Sequence, residues 1–301
     1  VTRGISAIVV NFNSAGHLER CLTALTASLE GLPSEAVVVD NASTDGSPAG
    51  ADAFGPRVTL HRQPTNRGFA AAANTGLALT TREYALILNP DVMLSRDTVR
   101  TLMAELDAHP ECGLAGPRLF DPDGRVQGSA RGDPNMLTGL FGRATLLTRL
   151  FPRLRIVRRN VVSDFGRDGD RAEVDWVSGA CMLGRRTALE AVGGFDERFF
   201  LYWEDADLCR RLRNRGFTIR YVPHATATHT TGVSSRRAGP LTIRAFHASA
   251  FTYYVTHVAT ARVSPARSLA RVLLAIRCRW KLLMDRLYAR RNTTRSWNDP
   301  I

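Results

Sequence analysis

No two of the five cysteines form a C-x-x-C pair: Cys21, Cys112, Cys181, Cys209 and Cys278 are odd in number and far apart. That spacing argues against a structural zinc site and against a disulfide framework. A reducing cytoplasm is the compartment expected of such a chain. No run of 18 or more apolar residues is present, so no segment reads as a bilayer-spanning helix. The opening residues do not read as a secretory signal, and internal repeats are missing. Lysine is nearly absent: Lys281 is the only one among 40 basic residues, a bias that reflects genome base composition as much as protein physics. Acidic residues are in deficit, 28 against 40, giving a net charge of +12 and a pI of about 10.4. Anionic partners are therefore expected, whether nucleic acid, nucleotides or lipid phosphates. A non-enzymatic nucleic-acid-binding protein would share this charge, but no helix-turn-helix, zinc-finger or RNP pattern supports one.

What is present is an ordinary globular composition, 44% hydrophobic and 23% charged over 301 residues, enough for one large domain or two small ones. Ile5 to Val10 is a short β-branched run, as in a buried strand. Leu18, Cys21, Leu22, Leu25 and Leu29 follow at helical spacing, and Ala36 to Val39 is a second buried strand. Strand, helix, strand predicts a parallel sheet covered by helices. Ligands of such sheets bind beyond the carboxyl ends of the strands. The second strand ends there in Asp40-Asn41-Ala42-Ser43-Thr44-Asp45. Asp40 can accept hydrogen bonds from a base N–H or ribose hydroxyls, while Asn41, Ser43 and Asp45 suit Asx-turns and caps.

Further on, Asn66-Arg67-Gly68 leads into an alanine-rich helix that can pack close to the sheet, with Arg67 and Gly68 able to approach a diphosphate and Asn74 two turns along. Tyr84 to Leu88 is a buried strand ending in Asn89-Pro90-Asp91, a place where a carboxylate can hold a divalent metal, although Asn-Pro also simply starts turns. Cys112 to Phe120 reads as sheet segments around a turn, and Pro134 to Gly169 as a mobile, basic excursion. Val174 to Leu183 predicts one strand bent at Ser178-Gly179, where glycine permits close approach of a ligand. Thr218 to Val222 predicts another strand, leading to His229. Ser264 to Arg291 predicts a basic amphipathic helix striped by Leu269, Val272, Leu273, Ile276, Trp280, Leu283 and Leu287. It either packs on the domain or lies on an anionic membrane surface, with Trp280 and the charge density favouring the second.

Within Phe199 to Leu208, three carboxylates, Glu204, Asp205 and Asp207, fall within four positions directly after a run of aromatics. Apolar walls raise a carboxylate's proton affinity, which suits a general base. Acidic residues equally belong in the first turn of a helix, and Leu208, Leu212 and Gly216 continue as a helix and its cap.

The ordered set VVVDNASTDGS, NRGFAAAANTG, LILNPDV, DWVSGACML, GGFDERFFLYWEDADLCRRLR and HTTG resembles the family 2 glycosyltransferases, and most closely their bacterial rhamnosyltransferase branch. The resemblance runs from about Ile5 to Ser235. It implies a GT-A fold: α/β, a Rossmann-like mixed, mostly parallel sheet flanked by helices, here with a C-terminal helical extension. Residues 1–235 would form the catalytic domain, with a nucleotide-binding half at 1–110 and an acceptor half at 111–235, followed by basic amphipathic helices over 236–301.

The resemblance also implies roles by position. Asp40 would bind the base of the nucleotide, with Asn11 and Asn13 lining that pocket and Arg67 and Asn74 near the ribose and diphosphate. Asn89-Pro90-Asp91 takes the place of a D-x-D motif, with Asn89 on the nucleotide side, Asp91 a ligand of Mg2+ or Mn2+, and His229 completing the metal site. Trp176, Gly179 and Arg131 would border the sugar and acceptor. Asp205 matches the general base, with Glu204 as the alternative or as a substrate contact, and Asp207 is expected to pair with Arg210 or Arg211 on the helix. The implied activity is inverting transfer of a sugar, L-rhamnose from dTDP-L-rhamnose, to a hydroxyl of a lipid-linked or cell-envelope glycan such as polyprenyl-diphospho-GlcNAc, in the cytoplasm at the inner membrane face. A different NDP-hexose or a soluble acceptor is the alternative within the same fold.

Overall fold

The computed structural model describes residues 2–133, 172–230, 239–261 and 263–295. The excursion expected over 134–169, and the Gly232 of the HTTG motif, lie outside the described residues. In chain order the elements are β1 (Thr2–Asn11), α1 (His17–Ser28), β2 (Ser34–Asp40), α2 (Ala49–Asp52), β3 (Thr59–Arg62), α3 (Phe69–Ala78), β4 (Arg82–Leu88), β5 (Val92–Leu94), α4 (Thr98–Ala108), β6 (Cys112–Phe120) and β7 (Ala130–Arg131). They continue with β8 (Ala172–Glu173), β9 (Trp176–Val177), β10 (Cys181–Arg185), α5 (Arg186–Ala191), α6 (Glu204–Asn214), β11 (Thr218–His229), α7 (Pro240–His257) and α8 (Pro265–Arg295).

One nine-stranded sheet runs in the order β3-β2-β1-β4-β10-β6-β11-β5, with β8 paired to β11. β1 is parallel to β2 and β4, and β2 to β3. β10 is antiparallel to both β4 and β6, so those two run the same way, and β11 is parallel to β6. Only β10, β5 and β8 run against the rest. The expected mixed, mostly parallel sheet is present.

Period-two alternation sends the side chains of β1 into two cores. Ile5, Ala7 and Val9 face Leu18, Leu22 and Leu25 of α1 and Leu102 and Leu106 of α4. Ile8 and Val10 face Ala70, Ala72 and Ala73 of α3 and Leu208 and Leu212 of α6. The small residues of α3 do bring it close: a Cβ on Gly76 would lie 2.2 Å from Ile8 Cγ2.

Two strand expectations need correction. Cys112 to Phe120 is one continuous strand rather than two segments around a turn. Pro117 stays inside it because β11 bulges opposite: the register jumps from Val222↔Pro117 to Thr226↔Arg118. A proline has no N–H for the ladder, and the bulge absorbs the mismatch. The bulge also lets β11 run on to His229, carrying that residue to the strand ends. Val174 to Leu183, in turn, is not one bent strand. Residues 176–177 pair with β7 in a separate two-stranded ribbon, and the chain turns through 178–180 before β10 enters the main sheet.

At the C-terminal end, α7 packs on the segment before α6. α8 lies beyond it with its stripe uncovered: Leu269, Val272, Leu273, Ile276 and Trp280 are 55 to 60% exposed. Among the described residues, no helix is long and apolar enough to cross a membrane.

Candidate active site

The carboxyl ends of β1 and β2 lie in register, Asn11 opposite Asp40. Both side chains are buried and bonded to each other, Asn11 Nδ2 donating to Asp40 Oδ1 at 2.8 Å and to Ser47 Oγ at 3.0 Å. Ser43 closes the loop by donating its hydroxyl to Asp40 Oδ1 (2.6 Å) and its N–H to Asp40 Oδ2 (3.2 Å). Asn13 holds the other wall, its Oδ1 accepting the Thr44 N–H at 2.8 Å from a left-handed backbone, φ +47°. Asp40 thus holds its own loop through the local Ser43 contacts, while Asn13 ties that loop to the end of β1 from 31 positions away.

Beside this loop, Asn41 fastens the Asn66-Arg67-Gly68 turn, donating to Asn66 Oδ1 (2.8 Å) and Gly68 O (3.0 Å) and accepting the Arg67 N–H (3.0 Å). Gly68 has φ +87°, and a Cβ there would lie 2.3 Å from Phe200 O. Glycine is required at this close approach. Phe69 N–H then donates to the same Phe200 carbonyl at 2.8 Å. Arg67 pairs with Glu197 (2.9 Å) and is half-exposed. Asn74 clamps the backbone of Phe195, donating to its carbonyl (2.9 Å) and accepting its N–H (2.8 Å), and it also donates to Glu197 Oε1 (3.1 Å). Arg67 and Asn74 are therefore brought together on Glu197, and Asn74 secures the Gly194-Phe195 turn.

Asp91 and His229 meet at the end of β4 and β11. His229 Nε2 lies 3.4 Å from Asp91 Oδ1, and Thr230 N–H donates to Asp91 O. Asp91 is buried, and its Oδ1 has no hydrogen-bond partner among the described residues. The histidine tautomer follows from Gln127. The Gln127 amide donates from Nε2 to Asp121 Oδ1 (2.6 Å) and to His229 O (2.8 Å), which makes its Oε1 the acceptor for His229 Nδ1 at 2.9 Å. Nδ1 then carries the hydrogen, and the Nε2 lone pair faces the orphaned Asp91 oxygen. Two acceptors facing each other need a proton or a cation between them, so the donor set fits a divalent metal. Among the described residues no cluster of three or more His, Cys, Asp or Glu side chains surrounds it. A metal held by Asp91 and His229 would need its remaining ligands from substrate and water. Asn89 is tied into the sheet by its backbone, its N–H donating to Ala180 O at 2.9 Å.

Next to Ala180, Gly179 N–H donates to Asp205 Oδ2 at 2.9 Å, and Asp205 Oδ1 accepts the Ala206 N–H at 2.8 Å. Residues 179–180 thus join the Asp91 turn to the start of α6. A Cβ on Gly179 would lie 3.3 Å from Asp205 Cβ, so here glycine makes room for that carboxylate. Arg131 and Trp176 pair across the β7–β9 ribbon, with the guanidinium 5.2 Å from the indole centroid and Trp176 Nε1 donating to Gly132 O at 3.0 Å.

Burial raises the proton affinity of Asp205, opposed by the Gly179 and Ala206 N–H groups and by the charge of Arg131. Burial raises Glu204 well above the usual carboxylate range, reinforced by the Asp205 charge. Glu204 Oε2 has no partner among the described residues. The two neighbours are separated by environment: Asp205 is held by two N–H donors as a carboxylate ready to take a proton, while Glu204 favours its neutral form. Asp207 is fully buried and structural, accepting from Arg211 Nε at 2.7 Å as expected of the helix pair. Arg210 instead binds Asp133.

Residues 6–193 match Glycosyl transferase family 2. The chain is also 32% identical, over 98% of its length and 97% of the relative's, to the N-acetylglucosaminyl-diphospho-decaprenol L-rhamnosyltransferase of Mycobacterium tuberculosis. The chain is a family 2 glycosyltransferase. This glycosyltransferase is 30% identical over 75% of its length to the pre-mycofactocin glycosyltransferase of the same species, spanning 43% of that relative. Among solved structures it resembles the mannosyltransferase PcManGT of Pyrobaculum calidifontis, a complex with GDP-Man and Mn2+, with a TM-score of 0.57 and 19% identity over 100% of this chain and 77% of that one. It also resembles S. aureus TarS residues 1–349 in complex with UDP, with a TM-score of 0.53 and 17% identity over 87% of this chain and 68% of that one. These likenesses show the GT-A fold.

Several residues that shape this candidate site carried no signal in their own surroundings. Gln127 sets the tautomer of His229 from 102 positions away. Glu197 receives both Arg67 and Asn74. His257 reaches Asp207 from α7, 2.7 Å from Oδ1. Tyr202 and Trp203, at φ +68° and +71°, hold left-handed backbone just before Glu204. Such conformers cost a non-glycine residue about 1–2 kcal/mol each.

Proposed function

We propose that this glycosyltransferase moves L-rhamnose from dTDP-L-rhamnose to a hydroxyl of polyprenyl-diphospho-GlcNAc, with inversion at the anomeric carbon. The observation that carries the substrate assignment is the end-to-end similarity to the mycobacterial rhamnosyltransferase, which covers α7 and α8 as well as the sheet. The dTDP moiety would lie against Asp40, Asn13 and the Arg67 turn, beyond the carboxyl ends of β1 and β2. Asp91 and His229 would hold a divalent cation, which supplies charge neutralisation for the departing diphosphate. Arg131 and Trp176 would border the sugar and acceptor.

In the chemical step, the Asp205 carboxylate takes the proton of the acceptor hydroxyl. The acceptor oxygen forms its bond to the anomeric carbon as the bond from that carbon to the diphosphate oxygen breaks, and the electron pair leaves with dTDP. One base suffices and no covalent enzyme intermediate forms. Neutral Glu204 beside it is a donor suited to a sugar oxygen. Incubation with a panel of nucleotide sugars, reading released nucleoside diphosphate in the presence of the acceptor, tests the donor assignment. Turnover confined to dTDP-L-rhamnose is expected, and equal turnover with an unrelated NDP-hexose would refute it.

The uncovered stripe of α8, flanked by Arg267, Arg271, Arg279 and Lys281, supports docking on an anionic membrane surface, where a polyprenyl acceptor resides. The full chain is expected to co-sediment with vesicles containing phosphatidylglycerol and to be released by salt. The double variant Ile276→Asp, Trp280→Asp should bind them roughly tenfold or more weakly, since two apolar side chains no longer insert. Unchanged vesicle binding by the double variant would remove α8 from the membrane role.

A further inference from the structure

The turn that delivers Asp205 is held from behind by α7. Tyr202 and Trp203, two consecutive residues with left-handed backbone, form the last step before α6. That region is disfavoured for every residue type but glycine, so such a pair persists only where its surroundings impose it. The surroundings here are one face of α7, presented at spacings of three and four by Phe246, Ser249, Tyr253 and His257. The Phe246 ring stands edge-on to Tyr202, with centroids 5.8 Å apart, and leans on Trp203 at 5.9 Å. Tyr253 packs on Trp203 at 5.2 Å. Ser249 Oγ donates to Leu201 O at 2.9 Å. His257 lies 2.7 Å from Asp207 Oδ1, on the first turn of α6, while Arg211 holds the other oxygen of the same carboxylate.

On the opposite side, the Gly68-Phe69 turn grips Phe200. The segment carrying the carboxylates is thus clasped between the donor-side turn and α7. α7 lies outside the 6–193 span of the family match, so this clasp is contributed by the C-terminal part of the chain. It is also contiguous with α8, whose Arg277 guanidinium lies 6.0 Å from the Phe246 ring centroid.

We propose that α7 is a positioning element for the general base: Phe246 and His257 fix the Tyr202-Trp203 turn and the first turn of α6, and so place Asp205 without touching the substrates. This rests on the reading of Asp205 as base. In the full-length chain, Phe246→Ala and His257→Ala are expected to lower kcat at least tenfold while the Kd for dTDP, measured by calorimetry, stays within twofold and thermal unfolding stays cooperative. Phe246→Tyr, which keeps the ring, and His257→Gln, which keeps a donor toward Asp207, should recover kcat to within about threefold of the parent. If Phe246→Ala does not fold, the His257 pair decides the matter.

Folded variants with parental kcat would overturn the proposal. So would kcat and dTDP affinity falling together, since that marks general loosening, and so would failure of both conservative variants to recover. Asp205→Asn run alongside separates the two ideas. If it retains transfer, the base reading fails whatever α7 does. If it is inactive while the α7 variants are fully active, only the positioning role fails.

Discussion

Asp205→Asn is expected to reduce kcat by about 10³-fold, within the range attributed to a positioned general base, while dTDP binding stays near that of the parent. The geometry explains why so small a change should matter. Asp205 spends one oxygen on Gly179 N–H and the other on Ala206 N–H, bonds that aim the carboxylate and lower its proton affinity, while burial raises it. An amide keeps the shape but can take no proton, and its NH2 must face one of those two N–H donors. That mismatch should cost stability by about 1–2 kcal/mol.

The pH dependence has a definite sign. A carboxylate base works only when deprotonated, and burial raises the pKa of Asp205, so with Asp205 in that role kcat/KM should climb with pH along an acid limb lying above the ordinary carboxylate range. The linkage runs the opposite way. A carboxylate with raised folded pKa binds its proton more tightly in the native state, so its contribution to stability is greatest when protonated and declines as pH rises from the unfolded value through the folded one. Glu204, raised by burial and by the Asp205 charge, has the same sign. The site therefore gains reactivity over the pH range in which these two carboxylates cost stability.

The second large effect is expected at Asp91. Asp91→Asn should weaken activation by Mn2+ by about 10²-fold or more, beyond the loss typical of removing a group that merely orients a ligand. A readout independent of turnover comes from the orphaned oxygen. In the parent, Asp91 Oδ1 lies 3.4 Å from His229 Nε2 and has no hydrogen-bond partner among the described residues. An asparagine amide can donate across that gap. Metal-free Asp91→Asn should therefore stay folded, with a stability within about 1 kcal/mol of the parent. Mn2+ with dTDP should raise Tm in the parent and not in the variant. Equal stabilisation of both by Mn2+ would show that Asp91 is not a ligand.

Much of the frame was legible from residue patterns because its signals are local. Ile5 to Val10, Ala36 to Val39 and Tyr84 to Leu88 are unbroken apolar runs of strand length. Each ends in the polar residues, Asn11, Asp40 and Asn89, that the sheet then places side by side. The alanines of α3 announced close packing, and Gly76 against Ile8 shows it. What stayed hidden depends on partners far away in the chain. Nothing around Asn74 marks it as the clamp of Phe195, 121 positions on. Gln127 looks like any polar loop residue until β11 runs past its bulge and sets His229 beside it. The Pro117 turn was misread because proline argues against a strand interior, and the compensating bulge sits on another strand. The carboxylate trio was ambiguous between helix cap and catalysis for a physical reason: its members have different surroundings, which spacing alone does not reveal. Asp207 belongs to the helix and to α7, and Asp205 faces Gly179.

Rhamnose transfer to a lipid-linked amino sugar, with Asp205 as base, can be followed on the acceptor itself. The most direct measurement combines dTDP-L-rhamnose, a polyprenyl-diphospho-GlcNAc acceptor and Mn2+ with the full-length chain, and follows the acceptor by mass spectrometry. Addition of a single deoxyhexose to the acceptor is expected of the parent, and next to none of Asp205→Asn. An acceptor left unmodified by the folded parent, or modified equally by Asp205→Asn, would contradict this reading.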